Sequence, residues 1–321
     1  MKREKIIIIG AGPCGLAAAI SCQEAGFDPL IIEKENIVNT IYRFPTHQMF
    51  FSTSERLEIG DVAFVTEERK PKRNQALSYY RDVVKRKKLR IHSFEKVESV
   101  AKIGHAFKVV TEKEQYEAAY VIIATGYYDS PNYLHVPGEN SAHVFHYFKE
   151  AHPFFGKDVV VIGGKNSAVD ATLELEKAGA NVTVLYRGLE YSSSVKPWIL
   201  PEYEALVRNE MIAHHFGAEV VEITKEEVIY SVEGETKRVK ADFVFAMTGY
   251  HPDHAFLKHV GVGVDDESGR PKFDEETMET NVQGLYIAGV IAAGNNANEI
   301  FIENGRFHGD SIVKSILAKE S

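Results

Sequence analysis

Cysteine is nearly absent from this sequence. Two thiols, Cys14 and Cys22, serve 321 residues, so neither a disulfide framework nor a cysteine-rich metal site can be assembled, and no Cys-x-x-Cys pair is available. A basic excess is absent too. The 37 Lys and Arg against 46 Asp and Glu leave a formal charge of −9, which argues against a nucleic-acid surface. The one dense charge run, residues 67–73, mixes both signs and reads as a solvated loop. Long apolar runs are missing as well: the longest, Leu285–Gly294, falls short of the roughly 18 residues that a membrane-spanning helix needs. The charged start Met1–Lys5 passes straight into Ile6–Ile9 and glycine, too short an apolar stretch for a signal peptide. A cytoplasmic location with no membrane contact is therefore expected. The remaining composition, 44% hydrophobic and 26% charged, is that of an ordinary globular chain long enough for two domains.

What is present is one pattern written twice. Ile6–Ile9 is a continuous β-branched run, the signature of a parallel strand covered on both faces. It enters Gly10-Ala11-Gly12-Pro13-Cys14-Gly15, and Leu16–Ala25 then reads as a helix stopped by Gly26. A second strand, Pro29–Ile32, ends at Glu33. The second copy has strand Val159–Ile162, turn Gly163-Gly164-Lys165-Asn166-Ser167-Ala168, helix Val169–Ala178 with Gly179 as its stop, and strand Asn181–Leu185 ending at Tyr186-Arg187. Similar closing strands follow, Val121–Tyr127 and Phe243–Tyr250, with a third at Gly284–Gly289. Each copy is a βαβ unit, so an α/β fold with two Rossmann-like dinucleotide-binding domains is expected. The second is inserted into the first: residues 1–128 and 252–321 form the outer domain and 129–251 the inserted one. Prolines near Pro131 and Pro252 mark the two crossings.

The glycine turns carry the chemistry. A lone GxGxxG is weak, but here Gly10, Gly12 and Gly15 lie between strand and helix, with Glu33 eighteen positions after Gly15. Gly10 permits the tight turn, Gly12 lets backbone approach a pyrophosphate, and Gly15 lets helix and strand pack closely. The phosphates sit on the helix N–H groups behind Pro13 and Cys14, and Glu33 accepts from a ribose diol. In the second copy, the step of 23 positions that leads from Gly10 to Glu33 leads from Gly163 to Tyr186. The acid is missing and Arg187 stands beside the gap. A guanidinium suits a 2′-phosphate that a carboxylate would repel, so NADP(H) is expected there. Lys165 replaces the middle glycine. Either Gly164 supplies the close approach while Lys165 points to solvent, or the ammonium helps hold a phosphate.

Two such sites, one inserted in the other, resemble the low-molecular-weight thioredoxin-reductase-like flavoproteins over essentially the whole chain. The resemblance implies FAD on the first turn and NADPH on the second, through Gly163, Gly164, Lys165, Asn166, Ser167 and Arg187. It implies that Ala124-Thr125-Gly126 and Gly289 approach the flavin, with Lys34, Gln48, Val97 and Ile300 also among the cofactor contacts, and that Asn298-Glu299-Ile300 leads into a helix facing the flavin. That superfamily usually follows its terminal strand with an aspartate, whereas Val290 stands here. Thioredoxin reductase itself carries a cysteine pair in its NADPH domain, and no cysteine follows Cys22, so that activity is excluded. Within the superfamily, residues 10–15, 44–54 and 299–306 are most similar to the bacillithiol disulfide reductase family. That family implies reduction of an oxidised low-molecular-weight thiol by NADPH through FAD, Cys14 as the active cysteine, and a homodimer or larger homo-oligomer. Two alternatives stay open: a ferredoxin- or flavodoxin-NADP reductase, which needs no cysteine, and a non-catalytic flavin or NADPH sensor.

Cys14 itself has two readings. A helix N-terminus favours a thiolate, whereas a small apolar residue simply suits this point of the turn. Eight residues along one helix, about 12 Å, keep Cys14 and Cys22 from pairing. The thirteen histidines show no ligand spacing for a metal. His47, in the segment that should line the flavin, reads either as a structural hydrogen bond or as a proton donor to a leaving thiolate, Ser192-Ser193-Ser194 as a loop, and Trp198 as packing.

Overall fold

Ile6, Ile7 and Ile8 are fully buried, because the strand that carries them lies inside a parallel sheet with helices on its faces. The computed structural model describes residues 1–321. Two units partition the chain: Met1–Ser130 with Tyr250–Ser321, and Pro131–Gly249.

In the first unit, β1 (Lys2–Ile9) runs into α1 (Pro13–Glu24) and then β2 (Leu30–Ile32). Further along come β3 (Arg90–His92) and β4 (Gln115–Ile123). The sheet order is β3-β2-β1-β4, the arrangement of a dinucleotide-binding half. Ile7, Ile8 and Ile9 face Leu30, Ile31 and Ile32 on one side and Val121, Ile122 and Ile123 on the other. The late strand Leu285–Ile287 pairs parallel with the end of β4. The antiparallel strands Val97–Ile103 and Ala106–Thr111 extend the sheet beside its start. The last helix, His308–Glu320, crosses α1 at a glycine: a Cβ on Gly309 would lie 2.7 Å from Ala18 Cα. Ser21 Oγ donates to Asp310 Oδ1 (2.8 Å) across the same crossing.

The inserted unit repeats the plan with β5 (Asp158–Ile162), α2 (Asn166–Lys177), β6 (Asn181–Tyr186), β7 (Ala213–Phe216) and β8 (Phe243–Ala246). The order is β7-β6-β5-β8, with every pairing parallel. A three-stranded antiparallel sheet, residues 219–240, accompanies it.

The closing strands are shorter than their apolar runs suggest. β4 ends at Ile123, three residues before Gly126 at φ +70°, and β8 ends at Ala246, three residues before Gly249 at φ +91°. The segment after Ile300 forms one helical turn, Ile302–Gly305, before the last helix begins at His308.

Candidate functional site

The first glycine turn is shaped by two steric facts. Gly10 adopts φ +107°, and a Cβ there would lie 2.5 Å from Ala124 O. A Cβ on Gly15 would lie 2.1 Å from Gly10 O. No side chain fits at either place. Gly12 differs: its Cβ would meet nothing within 4 Å. The backbone at Gly12 therefore borders open space just where α1 begins. No side chain caps that helix and no acidic residue stands in its first turn. An uncapped N-terminus beside free volume suits an anion.

Glu33 closes the turn from β2. Its carboxylate is buried and accepts Ala11 N–H at 2.8 Å and Glu35 N–H at 2.9 Å. Burial raises its pKa, while the two backbone donors and Lys34 oppose the rise. Each oxygen retains acceptor capacity for a diol. Lys34 instead pairs with Asp129 (2.9 Å), which also holds Arg43 (2.5 Å). Neither Asp129 nor Arg43 has a motif to announce it.

Ala124 N–H bonds to Ile9 O (2.8 Å), tying β4 to the turn. The next residue, Thr125, has a buried hydroxyl with no hydrogen-bond partner in the protein. That orphan oxygen, the open space over Gly12 and the uncapped helix fit a bound dinucleotide. Gln48 donates to Met49 O (2.8 Å), and Val97 opens its strand half-buried.

Cys14 lies inside a nest of backbone. A Cβ on Gly289 would lie 2.9 Å from Cys14 Cβ, and one on Gly305 would lie 3.0 Å from its Sγ and 3.1 Å from Ile300 Cγ2. The residue is half-buried, but its thiol is enclosed, and burial pushes that thiol up to about 12. His308 Nδ1 accepts Gly289 N–H at 3.1 Å, and burial lowers the His308 pKa, so a neutral ring props the same backbone. Gly305 lies in the 299–306 segment that the sequence singled out, but nothing there announces its contact with Cys14, and no motif includes His308; both reach Cys14 and Gly289 only through the fold.

In the inserted unit, Gly163 repeats Gly10: φ is +136° and a Cβ would lie 2.5 Å from Met247 O. Ala168 stands where the first turn has Gly15. The Cβ side of Gly164 is taken by the Tyr186 ring, 2.4–2.5 Å from where a Cβ would lie, so a glycine is required there on packing grounds alone. Lys165 is exposed at the start of α2, and Ser167 is exposed one step inside it. Asn166 faces inward, donating to Ser194 O (2.8 Å) and accepting from Lys196 N–H (3.0 Å). It thereby fastens residues 194–196 to the turn. Arg187 is exposed and makes no ion pair within the protein. One turn further along α2, burial and then Glu174 lift the Asp170 carboxyl to about 6.

No cluster of three or more His, Cys, Asp or Glu side chains is placed to hold a metal, and no helix is long and apolar enough to cross a membrane.

Comparison with known proteins places these features in a family. The family model described as pyridine nucleotide-disulphide oxidoreductase matches residues 7–289. A bacilliredoxin reductase of Bacillus subtilis (strain 168) is 66% identical over 323 residues, covering 100% of both chains. A solved bacillithiol disulfide reductase from Bacillus cereus is similar with a TM-score of 0.98 at 65% identity, covering 99% of this chain and 100% of that one. The corresponding structure from Staphylococcus aureus gives 0.97 at 57% identity, covering 100% of both.

Proposed function

The chain belongs to the pyridine nucleotide-disulphide oxidoreductase family, whose enzymes use a flavin and a nicotinamide nucleotide, and on that footing we propose that it is an NADPH-dependent FAD enzyme reducing the disulfide of bacillithiol. One observation carries the reading. The second glycine turn repeats the first with Glu33 replaced by Tyr186 and Arg187, so one chain offers two nucleotide seats of different specificity, and it is 57–66% identical end to end to reductases of that name or of bacilliredoxin.

FAD bound on the first turn would pass two electrons from NADPH to the disulfide, so that NADPH, one proton and RSSR give NADP⁺ and two RSH. The protein's part is to bind and orient. Gly12 and the start of α1 receive the pyrophosphate, Glu33 the ribose diol, and Thr125 a polar edge of the cofactor. Ala124, Gly126, Gly289 and Ile300 form its apolar and backbone wall. Gly163, Lys165, Ser167 and Arg187 receive NADPH on the second turn.

Two points concern the disulfide. Cys14 acting through a mixed disulfide is opposed by the enclosure of its sulfur and the raised pKa of its thiol; we take it as part of the wall. A second reading, bacilliredoxin as the oxidised partner, follows the name of the Bacillus subtilis relative. The test is NADPH consumption by the FAD-loaded protein with bacillithiol disulfide, with oxidised bacilliredoxin, and with a one-electron carrier such as ferredoxin or flavodoxin. Turnover with bacillithiol disulfide alone supports the proposal. Turnover only with bacilliredoxin moves the substrate to the protein, and turnover only with the carrier overturns disulfide reduction.

A further inference from the structure

Tyr186 occupies the position in the inserted unit that Glu33 holds in the first, and it touches the turn in a different way. Glu33 meets Ala11 through a hydrogen bond. Tyr186 meets the equivalent Gly164 through its ring, at a distance that leaves no room for a Cβ. The far end of the same ring lies on Gly188, where a Cβ would be 2.4 Å from Cε1, 2.5 Å from Cζ and 2.8 Å from the hydroxyl oxygen. Two glycines from separate segments thus admit one ring, which spans the gap between the phosphate turn and the end of β6. Interiors have no slack for an added methyl at such distances. The hydroxyl is left beside Gly188, one residue from the exposed Arg187, and makes no hydrogen bond to the protein.

We propose that Tyr186 is a second determinant of nucleotide choice, its hydroxyl donating to the 2′-phosphate that Arg187 neutralises. This rests on the NADPH reading of the second turn. The ring acts twice: it fills the place from which a carboxylate would hold the diol of NADH, and it fixes an O–H donor beside the guanidinium.

The test is calorimetric binding of 2′,5′-ADP and 5′-ADP to the FAD-loaded protein and to Tyr186→Phe and Gly188→Ala. The phenylalanine keeps the ring on both glycines, so the fold is preserved while the donor is lost. The unaltered protein is expected to prefer 2′,5′-ADP. Tyr186→Phe should cut that preference roughly tenfold, the effect of one hydrogen bond to a charged acceptor, with 5′-ADP binding unchanged. Gly188→Ala should cut it as well, by displacing the ring. An undiminished preference in Tyr186→Phe, or in Gly188→Ala, overturns the role of Tyr186 alone. Absence of any preference in the unaltered protein overturns the NADPH reading beneath it.

Discussion

The sulfur of Cys14 lies against the backbone of Gly305, 291 residues away in sequence, so closely that a Cβ on Gly305 would sit 3.0 Å from Sγ. The late helical turn is thereby locked onto the start of α1. Gly305→Ala should lower the melting temperature, with a cost of about 1–3 kcal/mol for an overpacked contact. In a Cys14→Ala background the cost should shrink, because the sulfur no longer opposes the methyl. Equal costs in the two backgrounds would place the strain at Ile300 or Gly289 instead.

The same enclosure predicts an unreactive thiol. Cys14 and Cys22 are both raised to about 12 by burial, so iodoacetamide should modify neither at neutral pH in the FAD-loaded protein. Cys14→Ala should keep FAD, keep NADPH-driven flavin reduction and retain disulfide turnover within roughly threefold. Loss of turnover alone, with the other two intact, would restore Cys14 as a nucleophile working through a mixed disulfide.

Gly12 separates folding from cofactor binding. Its φ of −72° suits any residue and a Cβ meets no protein atom, so Gly12→Ala should fold with an unchanged apoprotein melting temperature. The added methyl fills the space assigned to the pyrophosphate. Overpacking of about 1–3 kcal/mol corresponds to FAD binding weakened roughly five- to a hundredfold. Full flavin content at limiting FAD would remove the first turn from the cofactor site.

Both turns and both strand–helix–strand units were legible in the sequence because their signals are local. Four β-branched residues, a glycine turn (three glycines in the first copy, two in the second) and an acid or its replacement lie within fewer than 30 positions. The contacts that shape the site are not local. Nothing in the spacing says that the Tyr186 ring turns onto Gly164 and Gly188, since this depends on how β6 twists past the turn. The contact of Gly305 with Cys14, and the role of His308 at Gly289, emerge only when the Ile302–Gly305 turn and the last helix pack on α1. Gly164 shows the difference well. The spacing leaves open whether it or Lys165 serves a phosphate, and the ring whose packing requires a glycine there stands 22 residues later.

Arg187 tests the charge argument directly. It is exposed and makes no ion pair within the protein, so Arg187→Ala should leave the fold intact. Charged hydrogen bonds to phosphate contribute about 1.5–3 kcal/mol, so KM for NADPH should rise roughly ten- to a hundredfold while that for NADH hardly moves. Equal changes for both nucleotides would detach Arg187 from the 2′-phosphate.

Asp170 gives a pH dependence with a definite sign. Its carboxyl titrates near 6 in the folded protein against 3.8 ordinarily, from burial first and the Glu174 carboxylate second, with no hydrogen bond offsetting either. The folded state therefore holds a proton that the unfolded chain releases, and stability falls as pH rises from about 4 to 6. Above that window the charged carboxylate is a standing cost, on the order of 3 kcal/mol at most. Asp170→Asn removes the charge and keeps the shape. It should match the parent protein's melting temperature near pH 4 and exceed it at pH 8, with the difference opening between those limits. Because other groups titrate in both proteins, the quantity to follow is the difference between the two melting curves at each pH. A constant difference from pH 4 to 8 would show that Asp170 does not change protonation across that range, and a lower melting temperature for Asp170→Asn at pH 8 would show that its charge is held by a favourable partner.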